Sequence, residues 1–118
     1  MRAELKGIHS PDIDFTTFWP EEPDNFGFLL QAMIGPKGQD GKESFGIQVC
    51  TPDWLKSRYA KTEVLFGKHI LIVFDYDIDR IKNYIAKYCE RCVGDNWQDI
   101  ASQLSKIGQW EFEGFSPI

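Results

Sequence analysis

Several short stretches of this 118-residue chain bring together residue types that can do chemistry. The first is "IGPKGQDGKESFGIQVCTPDWL", residues 34–55, with glycines at 35, 38 and 41 followed by Lys42. Glycines close together ahead of a lysine suit a phosphate cradle, which needs open backbone N–H groups and a cation. The phosphate-loop pattern G-x-x-x-x-G-K-[ST] nevertheless fails here. With its G-K on Gly41 and Lys42, its first glycine falls on Pro36 and its hydroxyl residue on Glu43. A glutamate at that point would repel phosphate, and "ESFGIQVC" continues with strand periodicity instead of opening a helix. The glycines read as turn residues of a hairpin, supplying positive φ.

A second candidate is "DYDIDR", with Asp75, Asp77 and Asp79 at alternate positions, like the opening of a calcium loop. The sixth position of such a loop must be glycine and the twelfth glutamate. Arg80 and Ala86 stand there, which excludes an EF-hand. A three-carboxylate metal site serving a small metal-dependent enzyme stays open. The simpler reading is a strand end leading into a helix whose start favours aspartate. These carboxylates would also suit a cationic partner.

Cysteine and histidine chemistry finds less support. Cys89 and Cys92 form a C-x-x-C, but zinc would need further ligands, and His9 and His69 stand isolated. A redox pair normally opens a helix, where the dipole lowers a thiol pKa, and this pair lies near a helix end. The cysteines therefore read as small buried apolar residues, and three of them argue against a disulfide framework. No G-x-S-x-G occurs, and His9, Ser10 and Asp12 merely share a loop.

Charge points elsewhere. The chain has 13 basic and 18 acidic residues, a net charge of −5. The excess lies in "PDIDFTTFWPEEPDN", residues 11–25, which holds Asp12, Asp14, Glu21, Glu22 and Asp24 and no base. Free nucleic acid and anionic membranes are poor partners for such a chain, and a basic protein surface is a better one. Phe15, Phe18 and Trp19 are interleaved with these acids. Aromatic anchors ringed by charge resemble an interaction hot spot, yet they could equally fold back and pin the loop to the core.

The elements that position these residues follow from periodicity. Residues 2–8 alternate Ala3, Leu5 and Gly7 with Arg2, Glu4 and Lys6, a strand with one wet face. A long loop over 9–25 follows. Residues 25–35 put Phe26, Phe28, Leu30, Ala32 and Ile34 on one face, and 43–50 do the same with Phe45, Ile47 and Val49. Thr51, Pro52 and Asp53 begin a short helix that turns Trp54 and Leu55 toward the core. "KHILIVFDYD", residues 68–77, is apolar on both faces over 70–74 and reads as a central strand. A second helix from Asp77 carries Ile78, Ile81, Ile85, Tyr88 and Cys92 on one stripe, widened by Tyr84 and Cys89. Gly94 suits a left-handed cap, and Asp95 with Gln98 resembles a capping box for a third helix. That helix bears Trp97, Ile100, Ala101, Leu104 and Ile107 and stops at Gly108. A last strand spans 109–115. The order βββαβααβ predicts an α+β, two-layer sandwich: a mostly antiparallel five-stranded sheet with the helices on one face, in a single domain over 1–118.

The longest apolar run, residues 70–74, is too short to span a bilayer, and the first residues form no apolar signal segment. These features suggest a soluble, cytoplasmic protein.

Three segments carry a resemblance. "ELKGIHSPDID" at 4–14, "IGPKGQDGKESFGIQVCTPDWL" at 34–55 and "KHILIVFDYD" at 68–77 are similar to the immunity protein 8 family of bacterial polymorphic toxin systems. The resemblance implies a cytoplasmic protein that binds a cognate toxin domain and blocks it, with no enzymatic activity and no cofactor. It carries no contact residues and leaves the oligomeric state open. Joined to the charge, it suggests a basic toxin, such as a nuclease. Such a toxin would be met by Asp12, Asp14, Phe18, Trp19, Glu21, Glu22 and Asp24, together with Asp75, Asp77 and Asp79. The two other readings are the metal-dependent enzyme and a regulatory module that self-associates through an exposed sheet face.

Overall fold

The computed structural model describes residues 1–113. Along them run β1 (Ala3–His9), β2 (Gly27–Pro36), β3 (Glu43–Cys50), α1 (Pro52–Arg58), β4 (Ile70–Ile72), α2 (Ile78–Glu90), α3 (Trp97–Leu104) and β5 (Gln109–Trp110). The expected βββαβααβ order and α+β class hold. β2 lies antiparallel between β1 and β3. The other edge of β3 is shared by two short strands, β5 antiparallel at Phe45 and Gly46, and β4 parallel at Gln48 to Cys50. The sheet is therefore mixed, with one parallel pairing among its four.

Alternation builds the core. Register sets Phe28 opposite Val49, Leu30 opposite Ile47 and Ala32 opposite Phe45, so one face of the sheet is continuous hydrocarbon. α2 covers it with Ile81, Ile85 and Cys89, and α3 with Ile100, Ala101 and Leu104. Burying a large apolar side chain there stabilises by about 1.5–3 kcal/mol. The chain start closes the layer, where Ala3 N donates to the Cys92 carbonyl at 3.0 Å and Gly94 N to the Met1 carbonyl at 3.1 Å.

At the β2–β3 hairpin tip, Gly38 (φ 78°) and Gly41 (φ 104°) take the positive φ expected of turn glycines. Gly35 serves another purpose. A Cβ there would stand 2.0 Å from the Gly41 carbonyl oxygen, so the returning chain can pass only over a bare backbone.

Expectations change at five elements. In β1, a bulge between Leu5 and Gly7 reverses the alternation, so Ile8, not Gly7, pairs on the core side with Ala32. "KHILIVFDYD" is not a central strand. Only Ile70–Ile72 pair, at the sheet edge, and Ile72 and Phe74 are exposed. α1 does not join the helical layer. It buries no residue, and its Trp54 ring lies where a Cβ on Gly27 would be, on the opposite face of the sheet from Phe28. α3 is capped by Asn96, whose side chain accepts from Asp99 N at 3.0 Å, one residue beyond the expected Asp95. The helix ends at Leu104, and Gly94 does not have positive φ. β5 is two residues long, and the end of the strand expected over 109–115 lies outside the described residues.

Cys50, Cys89 and Cys92 are buried free thiols, as their apolar reading requires. Burial pushes the Cys89 thiol up to about 12, with the neighbouring Cys92 adding to it. A thiol raised in the folded state favours folding while it stays protonated in both states. The unfolded chain ionises first, above about pH 8.5. Stability should thus fall as pH rises from there toward 12. Urea midpoints at pH 7, 9 and 10 check this, and Cys89→Ala should flatten the alkaline loss.

Candidate functional site

The acidic loop between β1 and β2 is an ordered structure. Ser10 Oγ accepts from Asp12 N at 3.1 Å and Ile13 N at 3.3 Å, turning the chain as it leaves β1. Asp12 Oδ2 accepts from Leu29 N at 2.8 Å, so this carboxylate extends the β1–β2 ladder. Asp14 Oδ1 accepts from Thr16 Oγ1 at 2.7 Å and Thr16 N at 2.9 Å. The Thr16 hydroxyl first, then its amide, hold the Asp14 carboxyl below the usual carboxylate range.

The aromatic residues of the loop divide between the two roles left open by the sequence. Phe15 and Phe18 turn inward, each edge-on to Phe28 with ring centres 6.0 Å apart. Trp19 is 71% exposed and touches the fold through Tyr76, 6.1 Å away. Pinning and presentation therefore coexist. Glu21, Glu22 and Asp24 follow Trp19 and are exposed.

Tyr76 is the hub of this cluster. Its ring meets Phe18 at 5.0 Å, Phe26 at 5.8 Å and Phe28 at 6.1 Å. Since Tyr76 lies between Asp75 and Asp77, it brings the 75–79 stretch against the loop at 18–19. The two acidic stretches, distant in sequence, thus border one region. Asp24 and Asp53 also line a shallow cavity with Phe74. Asp53 was read only as a helix-start residue.

The three aspartates of "DYDIDR" do not converge. Asp77 caps α2, accepting from Arg80 N at 3.0 Å, and its other oxygen lies 3.8 Å from Arg80 Nε. Asp79 lines a groove with Arg80, Lys87 and Arg91, where bases balance it. Among the described residues, no group of three or more His, Cys, Asp or Glu is placed to hold a metal ion.

Exposed apolar side chains cluster elsewhere. Val64 is 83% exposed, Phe66 97% and Phe74 77%, all near β4. "VLF" at 64–66 was the available signal, an apolar triplet with neither strand nor helix periodicity around it. Among the described residues, no helix is long and apolar enough to cross a membrane.

Comparison with curated proteins and with solved structures finds no match. A family model does match. It is described as Immunity protein 8 and aligns with residues 3–115, from β1 through the acidic loop and all three helices to β5. With nearly its whole length inside that match, the chain belongs to the immunity protein 8 family.

Proposed function

We propose that this protein binds a cognate bacterial toxin domain by direct contact and neutralises it. It contributes recognition and no catalytic step, and it acts in the cytoplasm of the producing cell. The toxin domain is basic, as a nuclease is, since an enzyme that grips phosphate needs positive charge. One observation carries this reading beyond the family. A loop anchored by Phe15 and Phe18 presents exposed Trp19 beside Glu21, Glu22 and Asp24. Ordering this loop in advance lowers the entropy lost on binding, and its charge speeds encounter with a basic surface.

Glu21, Glu22, Asp24 and Asp75 are the carboxylates whose side chains best remain available to a partner. Asp12, Asp14, Asp77 and Asp79 are engaged by backbone, by the Thr16 hydroxyl or by neighbouring bases. The test replaces Glu21, Glu22 and Asp24 by their amides. Association with the toxin domain should slow about tenfold at low salt and lose most of its salt dependence. Stopped-flow measurements at two ionic strengths read both effects. Unchanged association rates would remove the loop from the interface.

A further inference from the structure

The two edges of the sheet are built differently. β1 carries Glu4, Lys6 and a bulge between Leu5 and Gly7, features that discourage another strand from pairing. The β4 edge carries no charge and no bulge within Ile70–Ile72. Gln48 N donates to the His69 carbonyl and Val73 N donates to the Cys50 carbonyl, both at 2.9 Å. Successive residues of a strand point their N–H and C=O groups to opposite sides. His69, Leu71 and Val73 therefore face β3. Ile70 and Ile72 direct theirs outward, along an edge that no other described strand pairs.

This edge runs between two apolar grooves. On the side of α1, Ile72 shares a groove with Leu55, Tyr59 and Val64. On the side of α2, Leu71, Phe74, Ile81 and Tyr84 line a cavity of about 340 Å³. A strand laid against β4 would send alternate side chains to the two sides, one set into each groove. Main-chain hydrogen bonds would supply affinity, and the grooves would select apolar side chains at alternate positions. Charge is graded along the same line. Asp75 borders the α2-side groove, where Arg80 offsets Asp77, and Asp24 and Asp53 flank Phe74. At the other end of β4 stand Lys106 and His69.

We propose that the free edge of β4 receives an extended segment of the toxin domain by strand addition. That segment is apolar at alternate positions and carries lysine or arginine at the end lying beside Phe74. The inference rests on the toxin-binding reading above and names where and how the partner docks. A second copy of this chain fits less well, because each copy has net charge −5.

The experiment uses the full chain and a catalytically inactivated cognate toxin domain. Amide hydrogen exchange is measured on the free chain and on the complex. The Ile70 and Ile72 amides should exchange quickly in the free chain and at least about tenfold more slowly in the complex. Phe74→Ala changes an exposed side chain and should weaken binding by about tenfold or more while leaving the fold intact. A complex that forms while both amides exchange as in the free chain overturns the proposal and leaves toxin binding standing. Slow exchange in the free chain, with a dimer on sedimentation, assigns the edge to a second copy and also overturns it. No complex at all removes the toxin-binding reading, and this proposal with it.

Discussion

Replacing Glu43 with alanine is expected to lower the free energy of unfolding by about 3 kcal/mol. Glu43 opens β3, and its Oε2 accepts from Trp97 Nε1 at 2.9 Å and from Trp110 Nε1 at 2.8 Å. One carboxylate oxygen thereby ties together β3, the first turn of α3 and β5. Hydrogen bonds to a charged group contribute about 1.5–3 kcal/mol each, and the partly exposed setting places these at the lower end. The alanine variant would leave both indole N–H groups without their acceptor. The stack of Trp110 on Phe45, with ring centres 6.4 Å apart, would lose a restraint as well. Glu43→Gln retains an acceptor oxygen and should cost less than half as much. Urea titration followed by tryptophan fluorescence reads both variants. An alanine midpoint equal to the parent's would show that the shared carboxylate is not what joins the three elements. The same glutamate spoils the phosphate-loop pattern at the hairpin, and the structure gives it a use there.

Phe28→Ala should cost about 4 kcal/mol and reach beyond stability. Phe28 is 1% exposed, and its ring meets Phe15, Phe18, Phe26 and Tyr76. Truncation leaves a cavity where the core joins the acidic loop. A loss of this size is a large part of the 5–15 kcal/mol typical of a domain. The loop should loosen in parallel. The Phe18 amide, which donates to the Asp14 carbonyl at 2.8 Å, should exchange faster with solvent. Tyr76→Phe is the contrasting variant. The Tyr76 hydroxyl is buried and has no hydrogen-bond partner among the described residues, and its burial raises its pKa. Removing it keeps the ring contacts and discards an unsatisfied polar atom, so stability should hold or rise. If Phe28→Ala unfolds with the parent midpoint, or the Phe18 amide keeps its protection, the cluster is not the loop's anchor.

Local pattern made much of the architecture legible. The alternation of Phe28, Leu30 and Ala32 and of Phe45, Ile47 and Val49 identified both central strands and their inward faces. The stripe Ile81, Ile85, Cys89 identified the face of α2 that packs. Thr51 and Asp77 were readable as caps because capping depends on residues within one turn, and both side chains accept the expected backbone N–H. The errors fall where local preference does not decide. Asp95 and Asn96 are both good caps, and Asn96 is the one that takes the position. "ILIVF" looked central because it is continuously apolar, yet composition cannot tell a strand covered on both faces from an edge strand that leaves apolar side chains exposed.

The candidate site was half visible. The charge of the loop at 11–25 and the mixture of acids with aromatics were plain in the sequence, as was the family resemblance that the family match bears out. The convergence of that loop with 75–77 through Tyr76 was not, because it depends on rings that meet across more than 50 residues.

Local sequence was thus enough for the order of elements, the core faces of β2, β3, α2 and α3 and the acidic loop, since periodicity and capping act over a few residues. The folded chain alone settles the bulge in β1, the face to which α1 goes, the grip of two tryptophans on Glu43, and β4 as an open apolar edge. Each depends on which surfaces pack together once the chain has closed on itself, and loop closure and burial are properties of the whole fold.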